Sequence, residues 1–204
     1  YSFITDNLKY PLYDWQKTAI ENFLLNEKIR AAKIAKGENL SPNHLMFNMA
    51  TGSGKTLVMA ALILYYYKQG YRNFIFFVNQ NAILGKTQAN FIDSFHNKYL
   101  FAENIVIDGV RVNIREVELF SDSCDDIQIK FTTIQKLHND IYKEGENALL
   151  LSDLQKRDVI LFGDEAHHLN ASTAKKKSAA NELTDDISFI GELKDSAKEE
   201  DIER

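Results

Sequence analysis

The sequence predicts an α/β fold with a mainly parallel sheet, and three observations carry that prediction. A glycine-rich turn, MATGSGKT at residues 49–56, lies between a short apolar run and a long apolar helix. Residues 74–78 form an unbroken apolar run, which is typical of a central parallel strand covered on both faces. A second such run lies at 159–162. Strand, turn, helix and strand in this order form a right-handed βαβ unit, with helices on both faces of the sheet.

Composition limits the classes of protein to which the chain can belong. Its 204 residues, 45% of them hydrophobic, are enough for one well-buried domain. A net charge of −5 gives no overall basic signature, so a nucleic-acid partner would be held by a local patch or by backbone N–H groups. The single Cys124 rules out an internal disulfide framework and suits a reducing compartment.

The sequence lacks the features that indicate a membrane or secreted protein. No apolar stretch reaches the roughly 18 residues of a membrane span, and residues 1–9 lack a signal-peptide pattern. These features predict a cytoplasmic domain without a membrane partner. The chain begins with Tyr1 rather than Met, which we interpret as the sign of a fragment of a longer protein.

The first long helix is predicted from Asp14, as its N-cap, to about Lys36. The motif YDWQ, with Tyr13 and Gln16, lies at its start. An aromatic ring offers a stacking face to adenine, and a glutamine amide donates and accepts at once, as the N6/N7 edge of adenine requires. Alone, the motif fits a capped amphipathic helix with Trp15 in the core better. Beside a phosphate-binding loop, adenine binding becomes the favoured interpretation.

The turn at 49–56 has the features of a phosphate-binding loop. A strand predicted at 44–47 leads into it, and a helix predicted at 56–69 follows it. Gly52 and Gly54 allow the backbone to approach an anion closely. The N–H groups at the start of the helix then point towards that anion.

Two polar side chains complete the predicted site for a nucleoside triphosphate. Lys55 can reach the β- and γ-phosphates, and the Thr56 hydroxyl can bind Mg²⁺. The usual template has glycine where Met49 stands, so a glycine turn with a chance lysine and threonine remains an alternative. The residues predicted to bind ATP are Tyr13, Gln16, Thr51, Gly52, Ser53, Gly54, Lys55 and Thr56.

Further elements follow the loop in strand and helix alternation. A helix is predicted at 83–95, and alternation around an Asp-Gly pair predicts a hairpin over 105–114 at the edge of the sheet. A strand is predicted at 127–132, and a helix opens at its carboxyl end. The order of these elements agrees with a parallel sheet.

Asp164 and Glu165 directly follow the apolar run at 159–162. Mg²⁺ that bridges the phosphates needs an outer carboxylate, which Asp164 can supply. Glu165 can act as the base that activates a water molecule in line with the γ-phosphate. Together with the phosphate loop, the two carboxylates predict hydrolysis of the triphosphate.

His167 and His168 raise the alternative of a zinc site beside these carboxylates. Neighbouring histidines on one turn do not easily ligate one ion, and the sequence has no H-x-x-x-H or paired-cysteine spacing. A role for His167 in coupling the nucleotide to a second site fits better.

Five motifs in the chain resemble those of superfamily 2 helicases and translocases. YDWQ, MATGSGKT, FVNQNAIL, FTTIQKL and DEAHHL look like the Q motif and motifs I, Ia, Ib and II, in that order. The resemblance covers roughly residues 10–170. DEAHHLN and FTTIQKL are most similar to the motor subunit of type III restriction enzymes, the Res subunit. This resemblance implies a RecA-like P-loop domain.

The resemblance implies the same roles for the loop and the carboxylates that their chemistry indicates. It also implies a nucleic-acid track, a row of residues along which one strand of nucleic acid binds. His167 would couple the state of the nucleotide to that track. The track residues would contact the phosphates of one strand and so carry no sequence information. They are Asn79, Gln80, Thr132, Thr133 and Gln135.

Residues 1–170 are accordingly predicted to form the first RecA-like domain of a DNA-dependent ATPase motor that uses ATP and Mg²⁺. Residues 171–204 are predicted to be a charged tail or loop. The resemblance implies a parent enzyme that is a type III site-specific deoxyribonuclease and pairs with a methyltransferase subunit that supplies specificity. No motif III-like segment, second RecA-like domain, arginine finger or nuclease motif follows in the sequence.

Two other functions remain open at this point. The first is another superfamily 2 motor, such as a type I restriction subunit, a repair translocase or an RNA helicase. The second belongs to a different class: a non-catalytic module that binds a nucleotide or a partner. The presence of Lys55, Asp164 and Glu165 together speaks against the second, because a remnant of the fold would not need all three roles.

Overall fold

A computed structural model of the protein describes residues 2–40, 43–78, 81–137, 154 and 156–164, without the side chains of 81 and 82. The helices are α1 (Ser2–Thr5), α2 (Asp14–Ala35), α3 (Lys55–Lys68) and α4 (Asn81–Ile92). The strands are β1 (Asn73–Val78), β2 (Ile105–Ile107), β3 (Val110–Val112), β4 (Ile114–Glu116), β5 (Ile127–Thr133) and β6 (Val159–Gly163). None of the described helices has the length and apolar composition needed to cross a membrane.

The centre of the fold is a four-stranded sheet in the order β4-β5-β1-β6, and every neighbouring pair runs parallel. β1 lies between β5 and β6, so the apolar run at 74–78 is an interior strand, as predicted. Phe77 pairs with Thr132 on one side and with Gly163 on the other. Because the strands point the same way, their carboxyl ends lie along one edge of the sheet. The predicted α/β class with a mainly parallel sheet is confirmed.

One face of this sheet packs against α3 and α4 to form the main hydrophobic core. The ring centroid of Phe76 in β1 lies 5.3 Å from that of Phe91 in α4 and 5.8 Å from that of Phe131 in β5. Eight of the 14 residues of α3 are buried, because α2 covers its far side. The helices predicted at 56–69 and 83–95 are therefore α3 and α4, displaced by one to three residues.

The other face is covered by residues 117–121 and by a helical turn at 134–137. Lys130 of β5 points to this face with only 1% of its side chain exposed. Its ammonium donates to the Glu118 carbonyl at 2.7 Å and to the Glu118 carboxylate at 3.1 Å. The bond from Lys130 lowers the pKa of the Glu118 carboxyl. A buried ammonium without such partners would be costly, so this pair fixes the covering segment to the sheet.

The strand predicted at 44–47 is not a strand in this structure. The segment lies beside α2, where it lines a cleft of about 310 Å³ together with Phe23 and Asn26. Leu45 and Met46 expose 43% and 77% of their surface instead of entering the sheet. The apolar run is only four residues long, and the apolar side of α2 competes with the sheet for it. Within the described residues, β6 is therefore an edge strand.

The predicted hairpin forms, but not at the edge of the main sheet. β2 and β3 pair antiparallel across Asp108 and Gly109, whose φ angles of 51° and 80° give the left-handed turn that an Asp-Gly pair favours. The hairpin is a separate two-stranded sheet. Ile114, predicted as its last residue, instead begins β4, which pairs in parallel with β5. The sequence interpretation missed this edge strand because it is only three residues long.

The N-terminal segment packs into the core. Ile4 is fully buried and Leu8 bridges to Phe101. The side chain of Asn7 bonds to the backbone of β2 as a neighbouring strand would. Its amide nitrogen donates to the Val106 carbonyl at 2.8 Å, and its amide oxygen accepts from the Val106 N–H at 2.7 Å. These two bonds hold the N-terminal segment against β2.

Substituting Gly163 by alanine tests the packing at the carboxyl edge. An added Cβ would lie 2.7 Å from two carbon atoms of the Phe77 ring, so the ring must move. We expect Gly163→Ala to lower the free energy of unfolding in urea by about 1–3 kcal/mol.

The matched control is Gly85→Ala in α4, where nothing lies within 4 Å of the new Cβ. We expect this control to be neutral or to stabilise by up to about 1 kcal/mol, because alanine favours a helix over glycine. Equal effects of the two substitutions would contradict the close contact with Phe77.

Candidate nucleotide-binding site

The glycine-rich turn has the backbone geometry that a phosphate loop requires. Gly52 and Gly54 have φ angles of 78° and 81°, in the left-handed region that favours glycine. The Ser53 hydroxyl and N–H both donate to the Ala50 carbonyl, at 2.6 and 3.2 Å, and close the turn. Gly54 is the N-cap of α3, which begins at Lys55. The first N–H groups of an α-helix lack intrahelical partners, so they are available to an anion at this point.

The start of α2 packs directly against this turn through Gln16. Gln16 is only 1% exposed, and its amide donates to the carbonyl of Ser53 at 2.9 Å and to that of Gly54 at 3.4 Å. The amide oxygen accepts the Tyr13 N–H at 2.9 Å. A Cβ on Gly54 would be strained by the φ angle and would also force the Gln16 amide to move.

These bonds change the interpretation of Gln16 and of the start of α2. Both polar atoms of Gln16 are engaged within the protein, so reading adenine would require the side chain to exchange partners. The N-cap is Tyr13, in an extended conformation, and not the predicted Asp14. Asp14 is the first helical residue, and its carboxylate pairs with Lys17 at 3.1 Å in solvent.

Tyr13 and Trp15 form an exposed aromatic pair beside the loop. Their rings stack with centroids 4.6 Å apart and planes 14° apart, and the residues are 62% and 54% exposed. The Trp15 indole N–H donates to the Ser53 carbonyl at 3.1 Å. The alternative that placed Trp15 in the core is therefore wrong. Trp15 was not among the residues predicted for the site, although its position next to Gln16 could have indicated it.

Lys55 and Thr56 lie in the first turn of α3, both partly exposed. The Lys55 ammonium donates to the Met49 carbonyl at 3.3 Å, which holds it across the mouth of the turn. Met49 itself packs against the core through its side chain. The methionine that departs from the usual template is thus compatible with the glycine conformations of the loop.

α3 runs alongside the sheet, and its two ends lie near opposite edges. At its C-terminal end the Tyr67 hydroxyl donates to the Asp125 carbonyl at 3.0 Å, just ahead of β5, and Arg72, just ahead of β1, donates to the Tyr67 carbonyl at 3.0 Å. A helix of 14 residues is about as long as a strand of six or seven, roughly 21 Å. The start of α3 at Lys55 therefore lies towards the carboxyl edge.

Asp164 follows β6 at that same edge. Its N–H donates to the Phe77 carbonyl at 3.1 Å, which continues the pairing of β6 with β1 beyond the end of the strand. The side chain of Asp164 is half-buried. The residues predicted to activate water and to couple the nucleotide, Glu165 and His167, lie outside the described residues, as does the tail at 171–204.

The residues predicted to form the nucleic-acid track are placed differently from one another. Thr132 is fully buried and Thr133 is 6% exposed, and the Thr133 hydroxyl accepts the Lys136 N–H at 3.2 Å. Both threonines are buried because β5 is covered on both faces, and their contact with a nucleic acid stays a prediction. Gln135, two residues on, is exposed. Asn79 and Gln80 lie outside the described residues.

Comparison with known proteins places this site in a family. The family model described as "Type III restriction enzyme, res subunit" matches residues 9–189. The chain belongs to that family. A probable type III restriction-modification enzyme Res subunit, HindVIP of Haemophilus influenzae, is 50% identical over 202 residues, which is 99% of this chain and 38% of that protein. No solved structure matches the chain.

Membership among the Res subunits confirms the resemblance drawn from the five motifs. The matched region begins ahead of YDWQ and extends past DEAHHL, so it includes the phosphate loop and the whole described sheet. The chain is thus the helicase-like motor domain of a Res subunit. It spans less than half the length of the HindVIP relative.

Gly54→Ala tests whether the loop depends on its contact with Gln16. The new Cβ would be strained by the φ angle of 81° and would also collide with the Gln16 amide. We expect a loss of unfolding free energy above the roughly 1–2 kcal/mol of a left-handed alanine alone, together with weaker ATP binding. Urea unfolding and titration with ATP measure the two effects.

Gly37→Ala is the matched control, because Gly37 has a φ angle of 80° but nothing within 4 Å of the added Cβ. Gly37→Ala should lower the free energy of unfolding through the strained φ angle alone, without a collision with another side chain. If both variants lose the same stability and both bind ATP normally, Gln16 does not support the loop.

Proposed function

We propose that this domain binds and hydrolyses Mg·ATP, and that it drives movement of a type III restriction enzyme along duplex DNA. The observation that carries the proposal is the glycine turn at the start of α3, which the start of α2 holds through the Ser53 carbonyl. That turn presents backbone N–H groups, an adjacent ammonium from Lys55 and an exposed aromatic pair at one place. The N–H groups suit the phosphate oxygens of ATP, the ammonium suits their negative charge, and the aromatic pair suits the purine base.

The predicted residues would share the work of binding and hydrolysis. Lys55 would move from the Met49 carbonyl to the β- and γ-phosphates. Tyr13 would provide the stacking face for the base. The Thr56 hydroxyl and the Asp164 carboxylate are hard oxygen donors, and Mg²⁺ commonly takes one or two such protein ligands beside phosphates and water. The ion would neutralise charge on the transferring phosphoryl group, while Glu165 would orient and deprotonate the attacking water.

The partners proposed for the intact enzyme follow from the family. The HindVIP relative is described as part of a restriction-modification enzyme, which supports duplex DNA and a methyltransferase subunit as partners. With a net charge of −5 for the chain, contacts to DNA would be local rather than a broad basic surface. Gln135 is an exposed candidate contact, and Asn79 and Gln80 stay proposed contacts. His167 is proposed to couple the state of the nucleotide to the nucleic acid.

Binding and hydrolysis by this 204-residue chain alone test the ATP site. We expect the chain to bind Mg·ATP but to hydrolyse it very slowly, because an arginine finger adds about 10³- to 10⁵-fold to turnover in related phosphoryl-transfer enzymes. Lys55→Ala should remove most of the binding, since the ammonium is the side-chain charge placed nearest the phosphates. Calorimetric titration and phosphate release measure both quantities.

Lys68→Ala, at the opposite end of α3, is the matched control. Lys68 pairs with Asp108 at 2.8 Å on the surface, and its loss should leave ATP binding unchanged. ATP binding that survives Lys55→Ala would instead favour a non-catalytic module. Rapid turnover by the isolated chain would contradict the expected need for an arginine finger from another part of the enzyme.

A further inference from the structure

The carbonyl of Ser53 accepts two hydrogen bonds from consecutive residues of α2. One comes from the Trp15 indole N–H at 3.1 Å and the other from the Gln16 amide at 2.9 Å. A carbonyl oxygen has two lone pairs, so both are occupied. This peptide is therefore held from the side of α2 by two donors at once.

Fixing this carbonyl also fixes the next N–H group. In a planar trans peptide the C=O of Ser53 and the N–H of Gly54 point in opposite directions. With the oxygen turned towards α2, the Gly54 N–H is turned away from α2. A glycine with a φ angle of 81° could otherwise let this peptide rotate, because glycine has wide conformational freedom. The two donors remove that freedom.

Burial accounts for only part of the role of a tryptophan at this position. Trp15 is 54% exposed, so about half of its surface stays in solvent. Its contacts are the stack on Tyr13, at 4.6 Å, and the bond to Ser53. The stack limits rotation of the indole and so keeps the N–H directed at the carbonyl.

We propose that Trp15 is a positioning residue for the phosphate loop: its indole N–H sets the 53–54 peptide so that the Gly54 N–H faces a bound phosphate. The inference rests on the proposed function, in which this loop binds the phosphates of ATP. It assigns Trp15 to the loop rather than to the base. Its effect on affinity is therefore independent of whether the ligand carries a base.

Trp15→Phe removes the N–H and keeps an aromatic ring for Tyr13. In the full-length enzyme with its partner subunit, affinities for Mg·ATP and for inorganic tripolyphosphate are measured by competition with a fluorescent ATP analogue. We expect both affinities to fall by the same factor, about three- to tenfold, as for the loss of one hydrogen bond. Amide exchange should rise across residues 51–57 and stay unchanged across β1, which a general loss of stability would not produce.

Tyr10→Phe is the matched control, because it also removes one exposed donor to a backbone carbonyl, that of Asn97 at 2.6 Å. It should change neither affinity. A loss confined to ATP would place Trp15 on the base and overturn the inference, as would unchanged affinities for both ligands. Lys55→Ala distinguishes failure of the proposed function from failure of the inference about Trp15. If this variant and the wild type bind Mg·ATP equally, the proposed function fails and the inference fails with it.

Discussion

The phosphate loop keeps its shape because α2 begins against it. The buried amide of Gln16 and the indole of Trp15 hold the Ser53 carbonyl, and the lack of a side chain on Gly54 makes room for Gln16. Ahead of α2, Asn7 ties the N-terminal segment to β2. A motif that was interpreted as a contact for the base is thus also a support for the loop. If the loop binds phosphate as proposed, its conformation would be set before ATP arrives, which would reduce the entropy lost on binding.

The parallel sheet supplies the second half of the site. Its strands end along one edge, and α3 runs the length of the sheet, so the helix start at Lys55 and the carboxylate of Asp164 lie towards the same edge. The anion site is built largely from backbone N–H groups and one ammonium. The net negative charge of the chain is therefore compatible with binding a triphosphate, because the field of a helix start acts over short distances.

How far the sequence predicts this structure depends on the strength of the local signal. α3 and β1 were predictable from the apolar runs at 57–67 and 74–78, and Gly54 from the phosphate-loop pattern. The segment at 44–47 was not, because a short apolar run pairs with a sheet or packs on a helix with similar gain. Thr132 looked accessible in the sequence, yet β5 is covered on both faces and the residue is fully buried. The two bonds to Ser53 depend on tertiary contact and leave no periodic signal.

Phosphate release by the intact enzyme tests whether this domain powers movement on duplex DNA. The assay compares no nucleic acid, duplex DNA and single-stranded RNA at a fixed, stated salt concentration, since phosphate contacts depend strongly on salt. We expect duplex DNA to stimulate phosphate release and RNA to do so little. Stimulation by RNA alone would contradict the restriction function and leave only the family fold and its ATP site.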